Sequence, residues 1–455
     1  MKKLFIFLAA IPFIAIAQNQ DSVFIKKISD DVFVNGKAYD LLRELTKNIG
    51  GRLAGSPQFA KAVIWGKQSL ENLGADNVYL QECMVPHWVR GAKEKVVITE
   101  QNEKKINILL DALALGNSWG SNGKPIVAEV IAVKDFAELE KRKDEVKGKI
   151  VFYNYPFNPT YIFPGQAYGE SGAYRRNGAS RAAKYGAVAV LVRSLTEATD
   201  NNPHTGTMAY NDSFPKIPAL ALGLYDADKL WKEAVNGKIK ISVTSSANFL
   251  PDTIAHNVIA ELKGTEFPNQ YITVGGHLDS WDVNEGAHDD GTGIVQTMEI
   301  LRVLKALNYK PKHTLRFVLF ANEENGMRGA NKYAEEAKAN NEQHIFALES
   351  DNGGFTPRGF SLGMSNEKIA KIKTWANLLK PYGCDNLELG GGGADVTPLQ
   401  RNMQTPVAEL RPDNQRYFDI HHARSDVFEN VNKRELLLGA INMAALIYLI
   451  DKYGL

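Results

Sequence analysis

The sequence predicts an α/β fold, a mixed and mostly parallel sheet flanked by helices and interrupted by a second, β-rich domain. Three observations predict it. From Asn257 onward strand-like and helix-like runs alternate, which implies a parallel or mixed sheet with helices on both faces. Between Lys124 and Val243 that rhythm gives way to short β-rich runs with few helices. Several of the later apolar runs also end in clustered acidic and imidazole residues, and in open α/β sheets functional groups gather beyond the carboxyl ends of the strands.

Taken in order, residues 1–17 carry two lysines, a short apolar core and a small-residue ending at Ala15-Ile16-Ala17, the pattern of a cleaved secretory leader. Their apolar run is shorter than the roughly 20 residues a membrane span needs, and no other stretch reads as a span. An exported protein starting near Gln18 is expected, periplasmic or secreted, with no membrane attachment after cleavage. Asn35–Asn48 has the apolar spacing of a helix, and Ser56 can cap a second one running to about Leu73. Val78–Met84, Glu94–Thr99 and Ile106–Leu109 read as strands.

The loop-like Ser118–Gly123 then leads into the β-rich segment: Ile126–Val133, Lys149–Tyr153, Ala187–Val192, Ala219–Leu222 and Ile239–Val243, with helices at Ala179–Lys184 and Asp226–Val235. Its only histidine, His204, reads as an inert surface-loop residue. The expected organisation is therefore a first part of the catalytic domain over residues 18–123, an insertion over 124–247, and a second part over 248–455. That second part alternates helices Gly291–Leu307, Gly329–Ala339, Glu367–Leu379 and Lys433–Ile450 with strands at Tyr271–Gly276, His313–Phe320, His344–Leu348 and Pro406–Leu410. The last helix reads as core packing.

Composition excludes some classes. A net charge of +1 with both signs interspersed gives no reason to expect nucleic acid or an anionic surface as partner. Cys83 and Cys384 lack metal-finger spacing; export permits a disulfide between them, and two buried thiols serve as well.

The residues that carry chemistry follow the strands. Val274–Gly293 is a strand end and glycine-rich loop bearing His277, Asp279 and Asp289; after Phe320 come Glu323 and Glu324, after Leu348 comes Asp351, and after Leu410 come His421, His422 and Asp426. Hydrolysing an unactivated amide needs a strengthened nucleophile and a partner for the developing oxyanion, and a pair of zinc ions meets both needs. His, Asp and Glu without Cys suit such ions.

In order and spacing, the motifs GGHLDSWD, GAHDDGTG, ANEENG, LESDNGG and HHARSD resemble those of the co-catalytic two-zinc exopeptidases, the family that contains a bacterial leucyl aminopeptidase. Likeness to the family's carboxypeptidase Q branch extends to Pro86-His87-Trp88, Arg193-Ser194, Pro203-His204-Thr205-Gly206 and Lys216-Ile217-Pro218, and so covers nearly the whole exported chain. The resemblance implies that the insertion is similar to a protease-associated domain. It implies two Zn²⁺ per chain, one held by His277, Asp289 and Asp351 and the other by Asp289, Glu324 and His422, with Glu323 as general base. Asp279, two residues after His277, is expected to accept the imidazole N–H and fix its tautomer, and Asp426 is expected to do the same for His422.

Gly393 and Asp395 resemble the family's Gly-x-Asp-x-x-Pro segment lining the substrate pocket. Many members carry His after that Asp; this chain has Val396, which lacks the hydrogen bond an imidazole would give there. The implied substrates are dipeptides or short peptides with a free N-terminus, and the implied assembly is a homodimer. The alternatives are an aminopeptidase on longer peptides, a single-zinc glutaminyl cyclase and a non-catalytic receptor-like module; retention of both ligand sets argues against the last two.

Overall fold

A computed structural model describes the backbone of residues 10–455 and side chains from residue 20. The leader expected over residues 1–17 therefore lies outside the described side chains, and its first nine residues lie outside the described residues altogether.

The strands, in chain order, are β1 (Asn77–Val89), β2 (Lys95–Gln101), β3 (Lys104–Leu110), β4 (Ala112–Ala114), β5 (Ile126–Val133), β6 (Ile150–Tyr153), β7 (Ala189–Arg193), β8 (Ala219–Leu222), β9 (Ile239–Thr244), β10 (Asn248–Leu262), β11 (Phe267–His277), β12 (His313–Phe320), β13 (Gln343–Glu349), β14 (Pro357–Gly363), β15 (Asn386–Leu389) and β16 (Val407–Pro412). They form two eight-stranded sheets. The first has the order β1-β10-β12-β11-β13-β16-β14-β15. Its middle four strands, β12, β11, β13 and β16, run parallel, while β1, β10 and β14 pair antiparallel with their inner neighbours. Every residue of β12 is buried, as expected for a strand covered on both faces. Strands β14 and β15 escape a reading by pattern: the first is Pro357-Arg358-Gly359-Phe360-Ser361-Leu362-Gly363, whose Pro and Gly imitate a loop, and the second has only four residues.

The second sheet has the order β3-β2-β9-β5-β6-β7-β8-β4. This corrects the boundary expected at residue 124, because β3 pairs with β2, β2 pairs in turn with β9, and β4 pairs with β8. The loop-like Ser118–Gly123 lies within this unit rather than at its border; Gly120 and Ser121 donate their amides to Ala247 and Ser245 at 2.6 and 2.8 Å. The chain enters and leaves the unit on neighbouring strands, since His87–Val89 of β1 pair with Asn248–Leu250 of β10. The inserted unit is thereby anchored at one antiparallel stem.

Ser56 caps the helix Pro57–Asn72 as expected, accepting from the Phe59 amide at 3.1 Å. The helix Lys433–Tyr453 is, against expectation, long and apolar enough by composition to cross a membrane; 83% of its most apolar window is buried inside the fold. Leu436, Leu437, Met443, Ala444 and Ile447 lie in the main core, and Ala440 is buried beside them. Cys83 and Cys384 are both free and buried, so they form no disulfide.

The two units meet beside the strand ends. Phe157, Ala167 and Leu195 of the insertion pack in one cluster with Phe355, Tyr417 and Phe418, and Arg424 grips Asp111 with two hydrogen bonds of 2.8 and 3.1 Å. Trp281, fully buried, reaches so near Gly116 of the inserted unit that a Cβ there would stand 1.8 Å from its ring.

Candidate metal centre

Because β11, β12, β13 and β16 are parallel, their carboxyl ends share one edge, and the chemistry-bearing residues collect there. His277 is the last residue of β11. Glu323 and Glu324 sit in the turn after β12, and Asp351 follows β13 by two residues. Asp289 comes from the loop ahead of the helix Thr292–Ala306, and His422 follows the short helix Tyr417–Ile420.

These side chains converge. His277 Nε2 lies 3.2 Å from Asp289 Oδ1 and 3.5 Å from Asp351 Oδ1. His422 Nε2 lies 3.3 Å from Asp289 Oδ2 and 3.2 Å from Glu324 Oε2. Asp289 thus offers one oxygen to each histidine. His421 stacks on His422 with ring centroids 3.5 Å apart and brings its own Nε2 to 3.5 Å from Asp289 Oδ2. All five expected metal residues meet, and His421, which is not in the ligand set the resemblance implies, stands beside them.

Two acids do a different job from the one expected. His277 Nδ1 donates to the backbone carbonyl of Asp279 at 2.9 Å, while the Asp279 carboxylate, 3.9 Å from that nitrogen, accepts the amides of Glu323 and Glu324 at 3.1 and 3.3 Å. Asp279 therefore positions the Glu323-Glu324 turn. Asp426 accepts the amides of His288 and Asp289 at 2.7 and 3.1 Å and so braces Asp289; His422 Nδ1 instead reaches the Thr205 carbonyl of the inserted unit at 3.3 Å. The reason is common to both: a loop or turn carrying site residues has buried amides to satisfy, and a short carboxylate satisfies two at once.

Other supports had no signal in the sequence. Arg52, fully buried, donates to the carbonyls of Leu278, Glu285 and Gly286 at 2.6, 2.7 and 3.0 Å, tying down the loop before Asp289. Asp290 accepts the amides of His277 and Gly293 at 3.1 and 3.0 Å. His204 is not a surface residue: it is 3% exposed and its Nδ1 meets the His421 carbonyl at 2.7 Å. Asp395, expected in the substrate pocket, is 1% exposed and does not line the cavity described below, and neither does Gly393.

The electrostatics call for positive charge. Burial holds His422 below its ordinary value, in the neutral form that binds metal. Burial acts the same way on His277, but Asp351 and Asp289 outweigh it and hold that imidazole well above its ordinary value. Burial, with Asp289 beside it, drives Glu324 well above the carboxylate range. Burial, tempered by His277 and reinforced by Asp351, Asp289 and Asp279, pushes Glu323 up to about 8. His277 Nε2, Asp289 Oδ2, Glu324 Oε1 and Asp351 Oδ1 are all buried with no hydrogen-bond partner, and each such atom costs about 1–3 kcal/mol unless something meets it. Ligand atoms of His277, Asp289 and Glu324 lie within 4.8 Å of one another, as do those of Asp289, His421 and His422. Imidazole and carboxylate donors in this arrangement, with one acid shared, fit two zinc ions.

A cavity of about 610 Å³ opens onto these residues, lined on one side by Asp289, Glu323, Glu324, Asp351 and His422 and on the other by Tyr168, Arg175 and Thr207 of the inserted unit. Arg175 is 5% exposed, donates to the Tyr168 hydroxyl at 2.7 Å and to the Thr205 carbonyl at 3.4 Å, and leaves its Nε without a partner. No carboxylate pairs with it among the described residues. Gly206, at φ +130°, separates it from His422; a Cβ there would stand 2.4 Å from Arg175 Nη1 and 2.7 Å from His422 Nδ1, so only glycine fits.

Residues 257–447 match the model of peptidase family M28. Over 415 residues the chain is 37% identical to carboxypeptidase Q of Mus musculus and 37% identical to that of Homo sapiens, covering 91% of this chain and 85% of each relative. The chain belongs to peptidase family M28. Among solved structures it is similar to a peptidase M28 precursor from Shewanella amazonensis, with a TM-score of 0.89, 30% identity and coverage of 95% and 97% of the two chains. The fold also matches a zinc aminopeptidase from Bacillus subtilis at a TM-score of 0.66 and 19% identity, over 90% of this chain and 94% of that one. As an M28 peptidase the chain is a metallo-exopeptidase, and its strand-end residues are the ones that fit the metals.

Proposed function

We propose that this M28 peptidase is an exported enzyme that hydrolyses dipeptides or short peptides with a free N-terminus. The cavity carries the reading: a small chamber with acids and imidazoles on one wall and a buried, unpaired arginine on the other suits a short zwitterion. In this reading His277, Asp289 and Asp351 hold one zinc ion, and Asp289, Glu324 and His422 hold the other. Bound there, the ions supply Lewis acidity, making a water easier to deprotonate and stabilising charge on the scissile carbonyl. Glu323 takes the proton from the attacking water at its carboxylate and returns it to the leaving amine. Asp279 pins the backbone of the Glu323-Glu324 turn, and Asp426 pins the backbone of Asp289. Arg175 donates to the substrate's C-terminal carboxylate, a charge-assisted pairing that its planar fork favours.

The insertion, read as a protease-associated domain, roofs the chamber and limits substrate length. The leader pattern of residues 1–17 supports export, and the carboxypeptidase Q likeness supports a homodimer. Arg175→Met is expected to raise KM about tenfold or more for a free dipeptide and much less for its C-terminal amide, measured by steady-state kinetics. Equal effects on the two substrates would remove Arg175 from carboxylate binding. A wild-type enzyme faster on longer peptides than on matched dipeptides would favour an aminopeptidase instead.

A further inference from the structure

The inserted unit also touches the turns that carry the metal residues, at two points that are joined to each other. The first is Asn117, in the loop after β4 at the edge of the chamber. Its side-chain amide donates to the Asn325 backbone carbonyl at 3.1 Å, and its Oδ1 accepts from Asn325 Nδ2 at 3.2 Å. Asn325 follows Glu324 directly and is 3% exposed; its own Oδ1 accepts from Asn322 Nδ2 at 2.5 Å. Among the described residues Asn117 is the only one of the inserted unit that hydrogen-bonds the turn over residues 322–326.

The second point is Thr205, whose amide donates to the His422 carbonyl at 2.9 Å and whose carbonyl faces His422 Nδ1 at 3.3 Å. The loops bearing Asn117 and Thr205 are tied together. Gly116 donates its amide to the Gly206 carbonyl and accepts from the Met208 amide, both at 3.0 Å. The Thr205 hydroxyl donates to the Ala114 carbonyl at 2.9 Å, and Asn117 Nδ2 also donates to the Thr207 hydroxyl oxygen at 3.1 Å. The joined loops form a brace with one end at the Glu323-Glu324 turn and the other at His422. Between those ends Glu324 and His422 face each other at 3.2 Å.

Asparagine suits its place in the brace on two counts. Its φ is +64°, in the left-handed region that asparagine tolerates better than most residues. Its amide also supplies donor and acceptor in one side chain, which the reciprocal pairing with Asn325 needs; an ionised aspartate would meet the Asn325 carbonyl with a second oxygen.

Resting on the two-zinc peptidase reading above, we propose that Asn117 is a positioning residue, which through this brace sets the Glu323-Glu324 turn against His422. Asp279 pins the same turn from the catalytic side, through the amides of Glu323 and Glu324, and Asn117 fixes its far end. The insertion is then part of the metal centre as well as its roof.

Asn117→Gly removes the side chain and keeps the left-handed backbone. Competition with a chelator is expected to show one of the two zinc ions held about tenfold to a hundredfold more weakly, the usual cost of losing a group that orients a metal ligand. With zinc saturating, kcat falls by about tenfold to a hundredfold and KM changes little, because Arg175 is untouched. A role in folding alone would lower thermal stability and leave zinc affinity and kcat of the folded protein as they were. In an Asn325→Ala background Asn117→Gly costs less than in the wild type, as two halves of one contact do. Wild-type zinc affinity and kcat in folded Asn117→Gly, or losses that multiply in the double variant, overturn the proposal while leaving the peptidase reading intact. If Asn117→Gly fails to fold, Asn325→Ala decides by the same two measurements: one weakened ion with lowered kcat supports the brace, and wild-type values overturn it. A wild-type protein that binds no zinc or cleaves no peptide overturns the peptidase reading, and this inference with it.

Discussion

Glu323→Gln is expected to lower kcat by on the order of 10²–10⁴, the range for removal of a general base, with zinc content and KM little changed. Gln keeps the volume and the hydrogen-bonding capacity of Glu but cannot hold a proton between the attack and the departure of the amine. The substitution is also structurally quiet: the backbone amide of residue 323 stays pinned to Asp279, and Glu324 continues to face His422 at 3.2 Å. Steady-state kinetics beside metal analysis of the same sample checks it. Near-normal turnover would remove Glu323 from the role, and loss of zinc would make it a ligand instead.

Asp289→Ala is expected to have the larger effect, abolishing turnover and leaving one zinc ion or none per chain. Asp289 is the one acid whose two oxygens address both histidines, at 3.2 and 3.3 Å. Its removal strips a ligand from each position at once and leaves His277 and His422 without their shared neighbour. The fold should persist, because the main core lies beneath the strands and Asp289 is held only through its loop. Metal analysis with circular dichroism separates the cases: two zinc ions retained in a folded variant would contradict the bridging arrangement.

Much of this was legible in the chain because parallel strands covered on both faces carry short apolar runs, as at Ile272–Val274 of β11, Phe317–Phe320 of β12, Phe346–Leu348 of β13 and Val407–Ala408 of β16. That acids and histidines gather at one place was legible for a related reason, since parallel strands end at one edge; which of them would hold metal came from the likeness of the motifs to the family's. What escaped was set by long-range packing. Nothing near Asp279 or Asp426 tells whether a carboxylate braces an imidazole or a pair of amides, and both brace amides. Arg52 and Arg175 act on loops far away in sequence, so neither has a local pattern to betray it. The boundary of the insertion was misjudged because β2 and β3 look like any hairpin until β9, the other partner of β2, comes into register more than a hundred residues later.

The most direct test is diffraction from crystals of the purified protein at the zinc absorption edge. Two anomalous peaks on either side of Asp289, one against His277 and Asp351 and the other against Glu324 and His422, are predicted. A single peak, or peaks away from these five residues, would contradict the account.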